Sequence, residues 1–275
     1  MRLFGARITV TALIGILIIL ACAGGAIFAP WLAPHDPNLP MGSRWDPPSA
    51  EHWLGLDQIG RDMLSRILYG GRISIGLAML ATILAFVIGV VTGLAATIFG
   101  GWIDMLFSRV ADVVLSVPNL MWALIILSGF GTGAGIIVLT IGLLYSIYVF
   151  RVARSVAMNI VVLEYVEAAR LRGEGLFWVI LREILPNALP PLAAEFGLRF
   201  CFAFLFVAAL SFLGLGVQPP DADWGSMVKE SSLAIPAGIA APLYPAAAIA
   251  VLTIGVNLVV DWLLSIYSRP QGENA

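Results

Sequence analysis

Charged side chains inside apolar segments are the first residues of this chain whose types could support chemistry. Those within or at the edges of long apolar runs are Asp112, Glu195, Arg199 and Asp261. Because a charge in the bilayer interior is costly, such residues usually face a protein interior or water. A proton relay would need several of them stacked through the membrane, and the sequence shows no such stack. The i, i+4 spacing of Glu195 and Arg199 favours an ion pair on one helix face. Asp112 and Asp261 could line a pathway, cap a helix or form helix–helix hydrogen bonds.

The remaining reactive residue types indicate a chain without catalytic or cofactor chemistry. Both histidines, His35 and His52, lie in one predicted extramembrane loop, which excludes a histidine-based metal centre inside the membrane. Cys22 and Cys201 lie in apolar segments and are predicted to be small buried residues rather than a disulfide or a metal site. The sequence has no Gly-x-x-x-x-Gly-Lys-Ser/Thr phosphate loop, so this chain does not hydrolyse ATP by that route. We therefore expect no catalytic residue, no cofactor and no metal ion in this chain.

The composition places these residues in a helical membrane protein. Hydrophobic residues make up 60% of the 275 positions and charged residues only 12%, whereas a soluble domain would carry about twice that charge. Mean hydropathy is +0.96. Apolar runs of about twenty residues, enough to cross a bilayer core of roughly 30 Å, recur along the chain. The alternating pattern of an outer-membrane barrel is absent, so the predicted fold class is all-α and integral to the membrane.

Six transmembrane spans are predicted. Their approximate ranges are 8–29, 74–99, 107–128, 133–152, 193–216 and 241–266. Arg2 and Arg7 before the first span resemble the start of a signal peptide, but the long apolar stretch favours an uncleaved helix. We divide the chain into residues 1–73, an N-terminal helix with an outside loop, and residues 74–275, a core domain. The core contains a polar interruption at about 153–192.

The placement of arginine predicts which side of the membrane each loop occupies. With the N-terminus inside, the cytoplasmic side holds Arg2, Arg7, Arg109, Arg151, Arg154, Arg170, Arg172, Arg182 and Arg269. The basic residues of the opposite side are outnumbered by acidic ones there. This positive excess favours a multi-pass protein with both termini, and the interruption, in the cytoplasm.

The interruption begins with a charged stretch that suits a helix. From Leu163 to Arg172, three apolar residues can share one side while the charged residues stay polar. The apolar residues are Leu163, Val166 and Leu171. Glu167 and Arg170, at i and i+3, can pair. Ala168 and Ala169 form a flank without bulk on which a partner surface could close.

A turn and a second helical stretch follow this helix. Gly173 and Gly175 permit a sharp reversal because glycine tolerates positive φ. Residues 177–185 resume a helical pattern, and Pro186, Pro190 and Pro191 are predicted to break it before the fifth span. Composition alone leaves open a surface helix that binds no partner.

The spacing within the interruption resembles a known motif. Glu167-Ala168-Ala169, then Gly173, then Ile184-Leu185-Pro186, is similar to the cytoplasmic signature loop of permease subunits in binding-protein-dependent ABC importers. Residue types, intervals and position between two spans all agree with that loop.

Two further stretches resemble one subgroup of these permeases. Residues 52–62, with Gly70-Gly71-Arg72 beyond them, look like the segment before the second span in the second permease of dipeptide, oligopeptide and nickel importers. Residues 211–216, followed by Gln218-Pro219-Pro220 and Trp224-Gly225, look like that subgroup's segment after the fifth span. Two positions depart from the subgroup: Glu183 stands where a histidine is frequent, and the tail lacks a Gly-Asp-Gly-Leu-Arg pattern.

The resemblance implies a type I ABC importer permease fold, a place in the bacterial inner membrane and a set of partners. The partners would be a homologous second permease, two cytoplasmic ATPases that bind ATP and Mg, and an extracytoplasmic substrate-binding protein, with no nucleic acid. The helix at 164–173 would be the coupling helix that sits in an ATPase groove. Its residues, with the proline of the motif, are Glu164, Glu167, Ala168, Ala169, Arg170, Leu171, Arg172, Gly173 and Pro186.

The resemblance also implies a non-enzymatic transport function. The substrate would be a short peptide, with nickel chelates, opines or other small solutes as alternatives. The rival function is an ion-coupled secondary transporter or channel that works without ATPase partners. That rival predicts internal repeats and a polar relay at mid-membrane, and neither is visible in the sequence.

Overall fold

The computed structural model describes residues 2–3, 6–7 and 9–267, and nearly all of its regular structure is helical. In chain order the elements are β1 (Arg2–Leu3), β2 (Ala6–Arg7), α1 (Val10–Ile27), α2 (Ala29–Leu32), α3 (Met63–Phe99), α4 (Gly101–Leu115), α5 (Asn119–Phe130), α6 (Ala134–Val161), α7 (Glu164–Leu171), α8 (Leu176–Val179), a π-helical turn (Ile180–Ile184), α9 (Leu185–Phe212), α10 (Trp224–Ser231), a 3₁₀ helix (Ser232–Ala237) and α11 (Leu243–Tyr267). The predicted all-helical fold class is confirmed; the two-residue strands pair only with each other.

The structure has five or six candidate membrane-spanning segments, compared with six predicted. Five described segments are long and apolar enough to cross a membrane: α1, α3, α6, the run from α8 through α9, and α11. The pair α4 and α5, which meet at 86°, passes the same test together and makes a sixth if the two helices form one bent span.

Two predicted boundaries are corrected by the structure. The predicted third span, 107–128, is not one straight helix, because the chain bends between Leu115 and Asn119. Pro118 favours the bend, because a proline disfavours helical geometry in the residue before it. The second span begins at Met63 rather than near 74, so the predicted division at residue 73 falls inside α3.

The centre of the fold is the close pairing of α3 with α6. Ala85, Gly89 and Gly93 lie one helical turn apart on α3 and are buried. A β-carbon at Gly89 would lie 2.6 Å from the carbonyl oxygen of Ser146, and one at Gly93 would lie 2.8 Å from the β-carbon of Ala153. Helices in lipid associate through such small residues, because no hydrophobic force joins them there.

A polar layer lies at the Met63 end of α3. Asp57 is buried and accepts hydrogen bonds from Arg61 Nε at 2.7 Å and Arg66 Nη1 at 2.5 Å. Both arginines also reach Glu230 on α10. Burial raises the pKa of Asp57, but backbone hydrogen bonds from Arg61 and Ile59 and the charge of Arg66 outweigh it, so that the pKa lies below its ordinary value. This layer fixes the loop before α3 against the loop after α9.

Candidate coupling site and polar residues of the membrane helices

The short charged helix α7 follows directly on the end of α6. Its first turn carries Glu164 and Glu167 and its last turn carries Arg170. This distribution suits the helix dipole, which favours acidic groups at the N-terminus and basic groups at the C-terminus. All three side chains are exposed. The helix therefore presents charge outward and is polarised in the stabilising direction.

Gly173 ends this helix in a left-handed turn. Its φ is +83°, a conformation that residues other than glycine adopt with difficulty. The Gly173 amide donates to the carbonyl of Arg170 at 2.9 Å, and the Glu174 amide donates to that of Ala169 at 3.3 Å. These two bonds form a Schellman motif, which satisfies the last carbonyls of the helix. Gly175, by contrast, has an ordinary φ of −68°.

The inner face of α7 packs against the rest of the chain. Val166 and Ala169 are both 0% exposed, and they share one hydrophobic cluster with Ile160 on α6, Ile184 in the π-helical turn and Ala188 on α9. Full burial of a valine side chain stabilises a fold by about 1.5–3 kcal/mol. The two parts of the predicted motif, around Ala169 and around Ile184, therefore meet in one core.

The outer face differs from the predicted one. Leu171 was predicted to share the apolar side with Val166, but it is 83% exposed. Ala169 points inward, so of the alanine pair only Ala168 is exposed. The exposed residues of this surface, which we call the α7 outer face, are Glu164, Glu167, Ala168, Arg170, Leu171 and Arg172.

Glu167 and Arg170 do not form an ion pair with each other in this structure. Among the described residues neither side chain has an ion-pair partner. Tyr165 is 38% exposed, and its partial burial, together with the negative charge of Glu183, raises its pKa. The acidic residues of α7 thus stay available to a partner.

The three prolines after α7 do not break the chain as predicted. Pro186 lies in the first turn of α9, and Pro190 and Pro191 lie inside the helix. A π-helical turn precedes them, and the Asn187 side chain donates to the carbonyl of Glu183 at 2.7 Å across the junction. Membrane helices tolerate proline where local π geometry and polar side chains satisfy the freed backbone groups. Pro186 itself is exposed, and it follows two positions after Ile184, which belongs to the cluster around Val166 and Ala169.

Glu195 and Arg199 form an ion pair on α9. Arg199 Nε donates to Glu195 Oε1 at 2.5 Å, and the side chains are 13% and 10% exposed respectively. The guanidinium also lies 5.0 Å from the ring centroid of Tyr148 and 5.2 Å from that of Phe202. Two aromatic faces and one carboxylate therefore surround this cation, which lowers the cost of burying it.

Two ion pairs attach α4 to α6. Arg151 Nη2 donates to Asp112 Oδ1 at 2.6 Å, and both side chains are about half exposed. Arg154 donates to both carboxylate oxygens of Asp104, with Nη2 to Oδ2 at 2.6 Å. The second pair was not predicted, because Asp104 lies in what the sequence indicated as a short loop. Asp261, the last of the predicted polar residues, is exposed on α11 and has no ion-pair partner among the described residues.

These observations describe a multi-pass helical membrane protein with a polar layer at one end of α3 and a charged helix at the other. Residues 85–270 match the family described as the binding-protein-dependent transport system inner membrane component. Residues 2–51 match the N-terminal transmembrane domain of oligopeptide transport permease C. The chain belongs to this family of inner-membrane permeases, and it is a permease subunit of an ABC importer.

Individual relatives are similar over most of the chain. The "probable D,D-dipeptide transport system permease protein" of Escherichia coli is 34% identical over 269 residues, which are 98% of this chain and 89% of the relative. A dipeptide transport system permease of Alkalihalophilus pseudofirmus is 35% identical over 253 residues, which are 92% of this chain and 83% of the relative. A glutathione transport system permease of Pectobacterium atrosepticum is 32% identical, with coverage of 95% and 87%.

Proposed function

We propose that this permease forms half of a translocation pathway with a homologous second permease, and that α7 is the helix through which an ATPase drives it. The observation that carries the proposal is the division of α7 into two faces. Val166 and Ala169 fix the helix to the chain, whereas Ala168 and the charged side chains are free. A helix that is packed against the chain on one face and exposed on the other can transmit force from a bound partner to the core.

The ends of α3 support a placement of α7 in the cytoplasm. At 37 residues, α3 is about 55 Å long, well over a bilayer core of roughly 30 Å. Leu94, near its C-terminal end, belongs to the same hydrophobic cluster as Val166 and Ala169 of α7. The polar layer around Asp57 lies beyond its N-terminal end. The two regions therefore lie on opposite sides of a membrane, and the arginine-rich side is the cytoplasmic one.

The partners follow from this placement. Two cytoplasmic ATPases would bind ATP and Mg, since the sequence of this chain has no phosphate loop. A substrate-binding protein would dock at the opposite side, near the loops before α3 and after α9, and both termini would be cytoplasmic. The substrate would be a short peptide or a related small solute, because the relatives are named for dipeptides and glutathione.

Closure of the ATPases would move α7 as a rigid body. Its inner face contacts α6 through Ile160, and the π-helical turn through Ile184. Movement of α7 would therefore rock α6 and α9 between inward-facing and outward-facing packings. Such a switch requires that the ATPases contact α7 differently in their two states.

Two of the three predicted acidic residues of the membrane helices favour this function over an ion-coupled transporter. Glu195 is neutralised by Arg199, and Asp112 is neutralised by Arg151. A proton or ion relay would instead need titratable groups free to change partner at several depths.

Co-purification with the native partners tests the proposal. The tagged wild-type permease should bring ATP-hydrolysing subunits with it, and an Ala168→Trp variant should lose them while it keeps the second permease. The matched control is Ala237→Trp, which makes the same change at an exposed position of the opposite loop. Normal ATPase recovery and normal uptake by the Ala168→Trp variant would overturn the assignment of α7.

A further inference from the structure

The only two histidines of the chain meet at one buried carboxylate. His52 Nδ1 lies 3.2 Å from Asp62 Oδ1, and His35 Nδ1 lies 3.8 Å from the same oxygen. The imidazole centroids are 4.9 Å apart. Asp62 is fully buried, and the two histidine side chains are 18% and 14% exposed. This cluster lies beside the polar layer, outside the spans and far from α7.

One nitrogen from each imidazole and one oxygen of Asp62 lie close enough together to be ligands of a single ion. They all lie within 4.8 Å of one another. Two ligands of a tetrahedral zinc ion, each bonded at about 2.0–2.1 Å, lie about 3.3 Å apart. The observed distances from Asp62 to the two imidazoles, 3.2 and 3.8 Å, bracket that value. Small side-chain rotations would bring all three atoms to bonding distance of a common centre.

One of these atoms lacks a hydrogen-bond partner among the described residues. His35 Nδ1 is buried and has no hydrogen-bond partner among the described residues. A buried polar nitrogen without a partner is costly, so its position calls for a proton donor or an ion. The opposite oxygen of Asp62 is already occupied, because it accepts the Ser65 amide at 2.8 Å. Oδ1 is therefore the oxygen that faces both rings.

The backbone around the cluster holds the ligands in place. Asp62 is the N-cap of α3, which fixes its side chain at the start of a long helix. The His35 amide donates to Ser65 Oγ at 3.1 Å, which ties the segment after α2 to the same turn. In metal sites, hydrogen bonds from residues that do not touch the metal orient the residues that bind it.

We propose that His35, His52 and Asp62 bind a divalent transition-metal ion of the zinc type. Two imidazoles and a carboxylate match zinc's ligand preference, and three protein ligands leave one position for water. The ion would join the segment after α2 to the first turn of α3 and so stabilise the layer around Asp57. The alternative is a simple hydrogen bond between His52 and Asp62 with the His35 ring packed beside it. The proposal does not depend on the assignment of α7.

Zinc titration of the full chain tests the site. The permease should carry a histidine-free tag, be treated with chelator and be titrated with Zn²⁺ in detergent. We expect binding of one ion per chain, and a loss of affinity of at least about tenfold in the His35→Gln and His52→Gln variants. Asp36→Asn is the matched control, because that carboxylate bonds the Asn38 amide rather than the cluster. Absence of stoichiometric binding, or equal binding by the histidine variants, would overturn the proposal.

A second measurement needs no variant. Zn²⁺ should protect both histidines of the wild-type chain from diethyl pyrocarbonate and should raise the thermal unfolding midpoint, since an ion that binds only the folded state stabilises it. Modification of His35 and His52 at rates that Zn²⁺ leaves unchanged would also overturn the site, even if a histidine variant failed to fold.

Discussion

Arg66 Nη1 donates to Glu230 Oε2 at 2.9 Å, and this bond joins two helices through residues that are 164 positions apart in the chain. Arg66 belongs to the first turn of α3, and Glu230 belongs to α10. Asp57 supplies a second carboxylate to the same guanidinium. Because Arg66 is buried, loss of either acid would leave a charge without its partner, which costs far more than an exposed pair. The loop surface opposite α7 is therefore a preformed structure.

Acid should loosen this layer through Asp57. Its pKa is lowered in the folded protein, so its contribution to stability is complete above its unfolded pKa of about 3.9 and is lost as the pH falls below that value through the folded pKa. The hydrogen-exchange protection factors of the loop before α3, corrected for the intrinsic pH dependence of exchange, should fall below about pH 4 in the wild type. An Asp57→Asn variant should show faster exchange already at pH 7 and a weaker acid step. An identical acid step in both proteins would assign the effect to other carboxylates.

The conformation of Gly173 predicts a specific defect. A Gly173→Ala change meets no neighbouring atom within 4 Å but places a side chain at positive φ, at a cost of roughly 1–2 kcal/mol. The end of α7 should therefore shift, and ATP hydrolysis by the complex should lose its dependence on substrate-loaded binding protein. The Gly175→Ala variant is the control, because its φ is ordinary. Equal coupling in both variants would show that the turn is not needed.

The alanine pair of α7 should separate folding from coupling. Ala169→Leu adds bulk to a fully buried position and should lower the free energy of unfolding by about 1–3 kcal/mol. Ala168→Leu changes an exposed position and should leave the thermal unfolding midpoint unchanged while uptake falls. The midpoints of both purified variants and their uptake at matched expression give the answer. Equal stability loss in the two would mean that Ala168 is also packed.

The pair on α9 should obey the logic of a buried ion pair. Glu195→Gln leaves Arg199 without its carboxylate and should lower stability by about 3 kcal/mol. Joint replacement by Leu at Glu195 and Met at Arg199 removes both charges and should restore most of the thermal unfolding midpoint. If the double variant were less stable than Glu195→Gln, Arg199 would owe its stabilisation to Tyr148 and Phe202 instead.

The elements that depend on local pattern could be predicted from the sequence. Apolar run lengths predicted the membrane-spanning segments. Gly173 gave a turn because few other residues reach its φ. The helix at 164–171 followed from composition, yet its orientation did not: the apolar periodicity suggested Leu171 as an inner residue, whereas the tertiary packing selected Val166 and Ala169.

Contacts between distant segments could not be predicted. His35, His52 and Asp62 are spread over a loop with no regular period, so nothing in the sequence indicates that their side chains meet. The bond of Arg66 to Glu230 joins α3 to α10 in the same way. The bend after α4 had a visible signal in Pro118, but the prolines of α9 gave the same signal and did not interrupt the helix. Proline marks a local weakness, and the surrounding packing decides whether the chain bends.

Cysteine cross-linking of α7 in the assembled transporter tests the central claim most directly. Cys22 and Cys201, both free in the structure, are first replaced by alanine. Ala168→Cys and Ala237→Cys variants are then treated with a short bifunctional thiol reagent in membranes containing all subunits. We predict that the Ala168→Cys variant links to an ATPase subunit with a yield that changes on addition of ATP, and that the Ala237→Cys variant does not. Linkage of the Ala168→Cys variant to the substrate-binding protein, or its labelling by an impermeant reagent from outside the cell, would contradict the account.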